Sequence, residues 1–401
     1  MGILWGSRRR VQRSCAGEGG LPSTGRDFDP NRRLDLWLLY TLGGLLNTGT
    51  MTLAVLVPLV GLHLGLGPQA VGMLVALPGV PLVGLRVWGG RAADRWGPRS
   101  VLVVGTASFL FGAGVLRLWP GLPGMVLAQL LTGAGRAVYL PAMQFRLYGH
   151  AGTRVVARVA LFNASAGVGA SAGAVLGGEG VGLGGVAGAT ALVGVATAML
   201  VAAILLSSDA EGRAGAAAPA AGLRRTIARL WLPGLLTVVS TVPFVLASSL
   251  YPIYGRMVGL SGGEIGRVVA VRGLATVAAG LGFVALCRAV GRRALRWAAL
   301  GLLACGVACS PLVRSGALLA MMLFMASAGG VWLFSEASVL VSEIADGATG
   351  QGYALVGTAW SLGLLVLPAL LGAVAAGLGV PSAFWVTGAI AMGAVGAVAL
   401  G

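Results

Sequence analysis

Residues Ala70–Leu118 read AVGMLVALPGVPLVGLRVWGGRAADRWGPRSVLVVGTASFLFGAGVLRL, and this stretch decides the fold. Two apolar runs, 70–89 and 100–118, flank a short polar segment, Gly90–Arg99. A helix needs about 20 apolar residues to cross a hydrocarbon core that is about 30 Å thick. The stretch therefore predicts two membrane-crossing helices joined by a tight, charged turn.

The rest of the chain repeats this alternation of apolar runs and polar gaps. Of its 401 residues, 57% are hydrophobic and only 10% are charged, which is too little charge for the surface of a water-soluble protein. The sequence predicts an all-α membrane protein with twelve transmembrane helices in two pseudo-symmetric six-helix bundles. The predicted spans are 36–62, 70–89, 100–118, 123–148, 157–178, 185–206, 230–255, 264–286, 295–311, 316–341, 353–376 and 382–401.

The basic residues predict how the chain is oriented in a cell membrane. All 28 are arginines, and with the N-terminus inside, 21 of them fall on the cytoplasmic side and three on the outer side. Such a bias is typical of cytoplasmic loops, so both termini are predicted to be cytoplasmic. The net charge of +16 thus indicates membrane topology and not a nucleic-acid partner.

Composition also divides the chain into four segments. Residues 1–35 are rich in Arg, Gly and Pro and predict a disordered cytoplasmic tail. Residues 36–206 form the predicted N-terminal six-helix bundle, and residues 230–401 form the C-terminal one. Between them, the Ala- and Gly-rich segment 207–229 predicts a cytoplasmic linker.

The two predicted bundles share a sequence repeat. A shift of 194 residues aligns Trp37 with Trp231, Pro58 with Pro252, and a series of glycines with one another. Because each half has an even number of spans, both copies enter the membrane from the same side. This is a parallel repeat, and it predicts a substrate path between the halves near the midplane.

The polar segment Gly90–Arg99, which joins the spans 70–89 and 100–118, resembles the signature of the major facilitator superfamily, G-x-L-a-D-r-x-G-r-k. Ala92 replaces the Leu, and Pro98 replaces a basic residue. The resemblance implies a cytoplasmic gate that latches and releases during the transport cycle. The residues that it assigns to the gate are Gly90, Asp94, Arg95, Gly97 and Arg99.

In such a gate, Asp94 can face a helix N-terminus, while Arg95 and Arg99 can pair with carboxylates across the seam between the halves. The second half carries a decayed copy, in which Gly291, Arg292 and Arg293 form the second-half gate. The alternative is a basic loop that only fixes the membrane topology.

Two weaker motifs also resemble family patterns. Gln129 replaces an arginine that the family associates with proton coupling, which puts such coupling in doubt at this position. Glycines four residues apart in span five, namely Gly169, Gly173 and Gly177, resemble an antiporter motif. They are interpreted here mainly as helix-packing residues, because glycines let two backbones approach closely.

Charges inside the predicted spans need a reason, because burial in the membrane is costly. Glu336 is a candidate proton-coupling carboxylate, or else the partner of an arginine that only holds helices together. Arg136 is predicted to face the path, where it could bind an anionic group or pair with Glu336. Arg272 is predicted to be structural or to snorkel, and Arg86 to reach the cytoplasmic interface. Further polar candidates on the path are Asn47, Gln129 and Tyr139.

The resemblance implies a secondary transporter that works by alternating access. The first hypothesis is proton-coupled efflux of a small molecule or drug. The alternative is uptake of a small metabolite, either anionic or uncharged, by a symporter or uniporter. A non-transporting membrane scaffold or sensor is the alternative of another class. No enzyme activity, cofactor or metal is expected. We expect a monomer whose partners are a small-molecule substrate, protons and the lipid bilayer.

Overall fold

The computed structural model describes residues 30–148, 155–183, 185–206, 230–344 and 349–400, and within these ranges the secondary structure is helical, without strands. Residues 1–29 of the predicted tail and the predicted linker 207–229 lie outside the described residues. Twelve helical spans, α1 to α12, are described. The first half contains α1 (Pro30–His63), α2 (Pro68–Ala76 and Gly79–Trp96), α3 (Pro98–Leu118), α4 (Leu122–Tyr148), α5 (Val155–Glu179) and α6 (Val186–Leu205).

The second half has the same order of helices. It contains α7 (Trp231–Ser240, Val242–Ser248 and Leu250–Met257), α8 (Gly262–Val290), α9 (Arg292–Cys309), α10 (Gly316–Ile344), α11 (Thr349–Leu378) and α12 (Val380–Leu400). In the described part of the chain, ten spans are long and apolar enough to cross a membrane. The other two are α4, which carries Arg136, and α12. The prediction of an all-α membrane protein is confirmed.

Two spans are broken where the sequence contains prolines. The break in α2 falls at Leu77 and Pro78, and the breaks in α7 fall at Thr241, just before Pro243, and at Ser249. Proline removes a backbone donor and obstructs the preceding turn, so it interrupts a helix even in a membrane. These breaks place irregular backbone beside the space between the halves.

The first helix begins at Pro30, six residues earlier than the predicted span, so the last part of the predicted tail is helical. Proline suits the first helical position because it has no N–H to leave unpaired there. Asp35 lies in the second turn and accepts from Nη2 of Arg146 at 2.8 Å. This ion pair ties the start of α1 to the end of α4.

The turns display the internal repeat directly. Among the described residues, the glycines with positive φ form three pairs, each 194 residues apart: Gly65 with Gly259, Gly97 with Gly291, and Gly185 with Gly379. Gly97 and Gly291 share φ of +82°, a backbone conformation that other residues rarely adopt. We call the end of the bundle that carries Gly97 and Gly291 the motif end, and the other end the opposite end.

Close backbone contacts between the halves obey the same symmetry. A Cβ on Gly72 in α2 would lie 2.9 Å from Cα of Gly372 in α11. At the equivalent positions, a Cβ on Gly266 in α8 would lie 3.0 Å from Cα of Gly178 in α5. The contacts α2–α11 and α5–α8 are therefore two copies of one packing arrangement. Together they form what we call the glycine seam.

The close packing in the glycine seam allows a prediction of how a single added methyl group changes the free energy of unfolding. We expect G72A and G266A each to lower the free energy of unfolding by about 1–3 kcal/mol, because backbone must shift to make room. G84A is the matched control, since a Cβ on Gly84 in the same span meets nothing within 4 Å. Thermal unfolding of the detergent-solubilised variants measures this. Equal stability of all three would contradict the described approach of the halves.

Candidate functional site

A cavity lies between the two halves, next to the glycine seam. Its interior has a volume of about 30 Å³, and α1, α2, α3, α4, α7 and α11 contribute to its wall. Phe109 and Phe244 are its aromatic residues. Its polar residues are Thr50, Gln129, Thr132, Arg136 and Ser248, and none of the described lining residues is acidic.

Arg136 is the charged residue of this wall. Its Nε is buried and has no hydrogen-bond partner within the described part of the protein. Arg136 also lies within electrostatic range of Arg86 and Arg272. The predicted position of Arg136 beside a path between the halves therefore matches the geometry, whereas the expected pairing with Glu336 is not formed in this conformation.

Arg86, predicted to reach the cytoplasmic interface, contacts α11 in the other half. Its Nη1 donates to Oγ of Ser361 in α11 at 3.3 Å, and its guanidinium lies against Gly357. The cation therefore crosses from α2 to the other half. It fits there because Gly357 has no side chain.

Arg272, predicted to be structural or to snorkel, contacts side chains inside the protein. Its guanidinium carbon lies 4.8 Å from the ring centroid of Phe244, and its Nη1 lies 3.6 Å from Sδ of Met51. A cation over an aromatic face is attracted by the ring quadrupole. Arg272 thus joins α8 to α1 and α7 beside the cavity, which corresponds to the structural alternative of its prediction.

The remaining predicted path residues have separate surroundings. Gln129 lines the cavity, and its Nε2 donates to the carbonyl of Leu74 at 3.1 Å. Asn47 instead donates to the carbonyl of Gly43 in its own helix at 2.9 Å. Tyr139 is buried between α3 and α4, and its hydroxyl has no partner among the described residues. Only Gln129 of these three belongs to the cavity wall.

The predicted gate lies at the junction of α2 and α3. Nη2 of Arg99 donates to the carbonyl of Ile204 in the last turn of α6 at 2.7 Å. A cation at a helix C-terminus is stabilising because the terminal carbonyls carry partial negative charge. This contact stays within the first half and is not the predicted pairing across the seam. Gly90 and Arg95 are placed in α2, and the side chain of Asp94 lies outside the described part.

The second-half gate binds Glu336, which is 2% exposed. Nε of Arg292 donates to Oε2 of Glu336 at 3.1 Å, and Nη2 of Arg296 donates to its Oε1 at 2.6 Å. Arg292 also pairs with Glu343 at 2.5 Å, while Arg293 is exposed. We call Arg292, Arg296, Glu336 and Glu343 the α9–α10 clamp. Sequence reasoning identified Glu336 and Arg292 separately but not their contact.

The comparisons with known proteins agree with this architecture. A family model described as Major Facilitator Superfamily matches residues 39–257, which is more than half of the chain. The chain belongs to the Major Facilitator Superfamily. It is therefore related to membrane transporters and not to enzymes, and its family function is secondary transport.

Two curated relatives of this major facilitator come from Mycobacterium tuberculosis. They are described as an uncharacterized MFS-type transporter of strain ATCC 25618 / H37Rv and a putative uncharacterized one of strain CDC 1551 / Oshkosh. Each is 31% identical over 100 residues, which is 25% of this chain and 24% of the relative. The match thus spans about a quarter of each relative.

Solved structures share the fold over most of the chain. A POT family transporter in complex with 5-aminolevulinic acid has a TM-score of 0.73 at 14% identity, covering 91% of this chain and 95% of that one. A D-xylose-proton symporter has a TM-score of 0.71 at 17% identity, covering 90% and 96%. At these identities the similarity shows the major facilitator fold alone.

The antiporter-like glycines of this major facilitator lie inside the first half. Cβ atoms on Gly169, Gly173 and Gly177 would collide with the backbone of α1 at Gly44, Thr48 and Thr52. They allow α5 to lie directly on α1, which is a packing role. The next glycine, Gly178, faces the other half and belongs to the glycine seam.

An ion pair joins the halves at the opposite end. Nη1 of Arg267 in α8 lies 3.0 Å from Oε1 of Glu179 in α5, and both side chains are more than half exposed, at 61% and 57%. Exposed pairs contribute little stability, about 0–1 kcal/mol. This pair can therefore break at low cost if the opposite end opens.

The α9–α10 clamp predicts unequal effects of two similar substitutions. We expect E336Q to lower the free energy of unfolding by about 2–4 kcal/mol, because it leaves two partly buried arginines poorly compensated. E343Q is the matched control on the same helix, and its 42% exposed side chain predicts a loss below about 1 kcal/mol. Denaturant or thermal unfolding in detergent measures both. If E343Q were the more damaging change, the clamp would not depend on Glu336.

Proposed function

We propose that this major facilitator moves a small molecule across a cell membrane by alternating access, with the cavity beside Arg136 as its substrate site. The supporting observation is that this cavity lies between two halves whose contacts in the glycine seam are related by the internal repeat. Glycines in a seam let two rigid bundles pivot without separating interlocked side chains. From the arginine bias, we place the motif end and both termini in the cytoplasm.

We further propose that transport is export coupled to protons. The antiporter-like glycine pattern supports export, and Glu336 supplies a candidate proton acceptor. Protonation would cancel the charge that holds Arg292 and Arg296, whose contacts with Glu336 are 3.1 and 2.6 Å. The α9–α10 clamp would then loosen at the motif end, which is the cytoplasmic end in this proposal. A proton on Glu336 would thereby alter the gate without entering the cavity.

A second candidate is uptake of a small anionic metabolite by a symporter or uniporter. The observation that favours it is the unpartnered Nε of Arg136 in the cavity wall. A guanidinium in such a position matches the geometry of carboxylate or phosphate groups. Direction is the property that separates this candidate from export.

Alternating access can be tested without knowing the substrate. In a variant whose native cysteines are replaced, S248C reports access to the cavity by a membrane-impermeant maleimide. We expect labelling from the outer side to stop when E179C and R267C are joined by a short bifunctional thiol reagent, because these positions face each other across the halves. Labelling from the cytoplasmic side should continue.

The controls for this experiment are the single variants E179C and R267C treated with the same reagent. Neither should protect S248C. If outer-side labelling never occurs in the untreated protein, the chain does not alternate and the scaffold alternative is favoured. If the cross-link between E179C and R267C does not change the labelling of S248C, the cavity does not open at the opposite end.

Coupling can be tested in everted vesicles energised with a proton gradient. We expect an exported compound to dissipate the gradient in vesicles with wild-type protein but not with E336Q, because a glutamine cannot exchange a proton. A pH-sensitive fluorescent dye measures the gradient, and E343Q serves as the matched control. Equal dissipation by wild type and E336Q would remove Glu336 as the coupling site.

A further inference from the structure

The positive charge beside the cavity has no described counter-ion. We infer that the cavity binds an organic anion, whose acidic group sits at Arg136 within the field of Arg86 and Arg272. This inference rests on the proposed function because it names the substrate class of the same cavity. It applies to export and to uptake alike.

The described carboxylates are engaged away from the cavity. Glu336 and Glu343 belong to the α9–α10 clamp, Asp35 pairs with Arg146, Glu179 pairs with Arg267, and Glu264 accepts from Ser261 at the start of α8. The contacts shown for Arg86 and Arg272 are instead a serine hydroxyl, an aromatic ring and a thioether. Nε of Arg136 has no partner within the described part of the chain. Cations inside a membrane protein are normally paired, so a missing partner of opposite charge points to a ligand.

The repeat shows that the scaffold does not need these arginines. At a shift of 194 residues, Arg86 corresponds to Gly280, Arg136 to Gly330, and Arg272 to Pro78. The second copy of each position therefore packs without a charge. The cluster belongs to the asymmetric part of the molecule, where the substrate path lies, and not to the symmetric seam.

The other residues of the cavity wall indicate the chemistry of the rest of the anion. Phe109 and Phe244 offer aromatic surface, while Thr50 and Ser248 add hydroxyl groups. A guanidinium forms two parallel hydrogen bonds to carboxylate, phosphate or sulfonate oxygens, and the unpartnered Nε of Arg136 is one available donor. The expected ligand is thus a small anion with an apolar, preferably aromatic, body.

The test uses binding to the purified full chain, so it is independent of transport. The probes are benzoate and naphthalene-2-carboxylate, each against its uncharged amide, and sulfate against chloride at equal ionic strength. We expect at least one of the three test anions to raise the melting temperature of wild type, with an affinity at least about tenfold weaker in R136Q. R117Q is the matched control, because exposed Arg117 lies outside the cavity and donates to Thr190.

Ligand-free R136Q should be no less stable than wild type, because the substitution removes an uncompensated charge. If R136Q fails to fold, R272Q replaces it and should weaken anion binding in the same direction. The inference would be overturned if the amides raised the melting temperature as much as the acids did. It would also be overturned if the anions raised the melting temperature of R136Q as much as that of wild type, or if wild type and R136Q did not differ at all.

The outcomes separate this inference from the proposed function. Anion binding that depends on Arg136, in a protein whose cavity is never labelled from the outer side, would keep the site and remove alternating access. Alternating access together with a preference for uncharged compounds would support the proposed function and remove the anion site at Arg136.

Discussion

The close approach of backbones between the two halves is the constraint on which the rest of the structure depends. At several points α2 meets α11 and α5 meets α8 at glycines whose missing Cβ atoms make room for the opposing chain. In a bilayer, apolar side chains gain little by leaving lipid for a protein neighbour, so close packing has to supply the attraction. The same packing keeps the cavity narrow and places its arginines at the boundary of the halves.

The distribution of charge follows from this plan. Carboxylates whose contacts are described lie near the two ends, in the α9–α10 clamp, the pair of Asp35 with Arg146, and the rim pair of Glu179 with Arg267. The interior cavity keeps only positive charge among its described residues. The pair of Glu179 with Arg267 is largely exposed to water, whereas Glu336 and Arg146 are buried and depend on their partners of opposite charge.

Much of the fold was predictable from the sequence because membrane spans have a simple length and composition. The repeat was also visible, through the aligned pairs of tryptophan, proline and glycine residues. The start of α1 at Pro30 was not predicted, because the charged beginning of this helix is stabilised by the pair of Asp35 with Arg146, more than 100 residues away. The breaks in α7 were missed because apolar composition alone does not show where a helix is interrupted.

The candidate site was only partly predictable. Arg136 was recognisable as a charge in the middle of a span. Arg86 and Arg272 were assigned to the interface or to scaffolding, since nothing local shows that Gly357 makes room for one and Phe244 supports the other. The partners of Glu336 were likewise hidden, because they lie on a different helix. Pairing between helices depends on tertiary contacts that hydropathy does not contain.

Gly79 and Pro368 belong both to the glycine seam and to the wall of the cavity. A Cβ on Gly79 would meet the backbone of Leu365, and the carbonyl of Pro368 lies against Gly72. Any movement of one half on the other must therefore change the shape of the cavity. The two parts cannot be adjusted separately, because the same residues set the contact between the halves and the width of the space beside it.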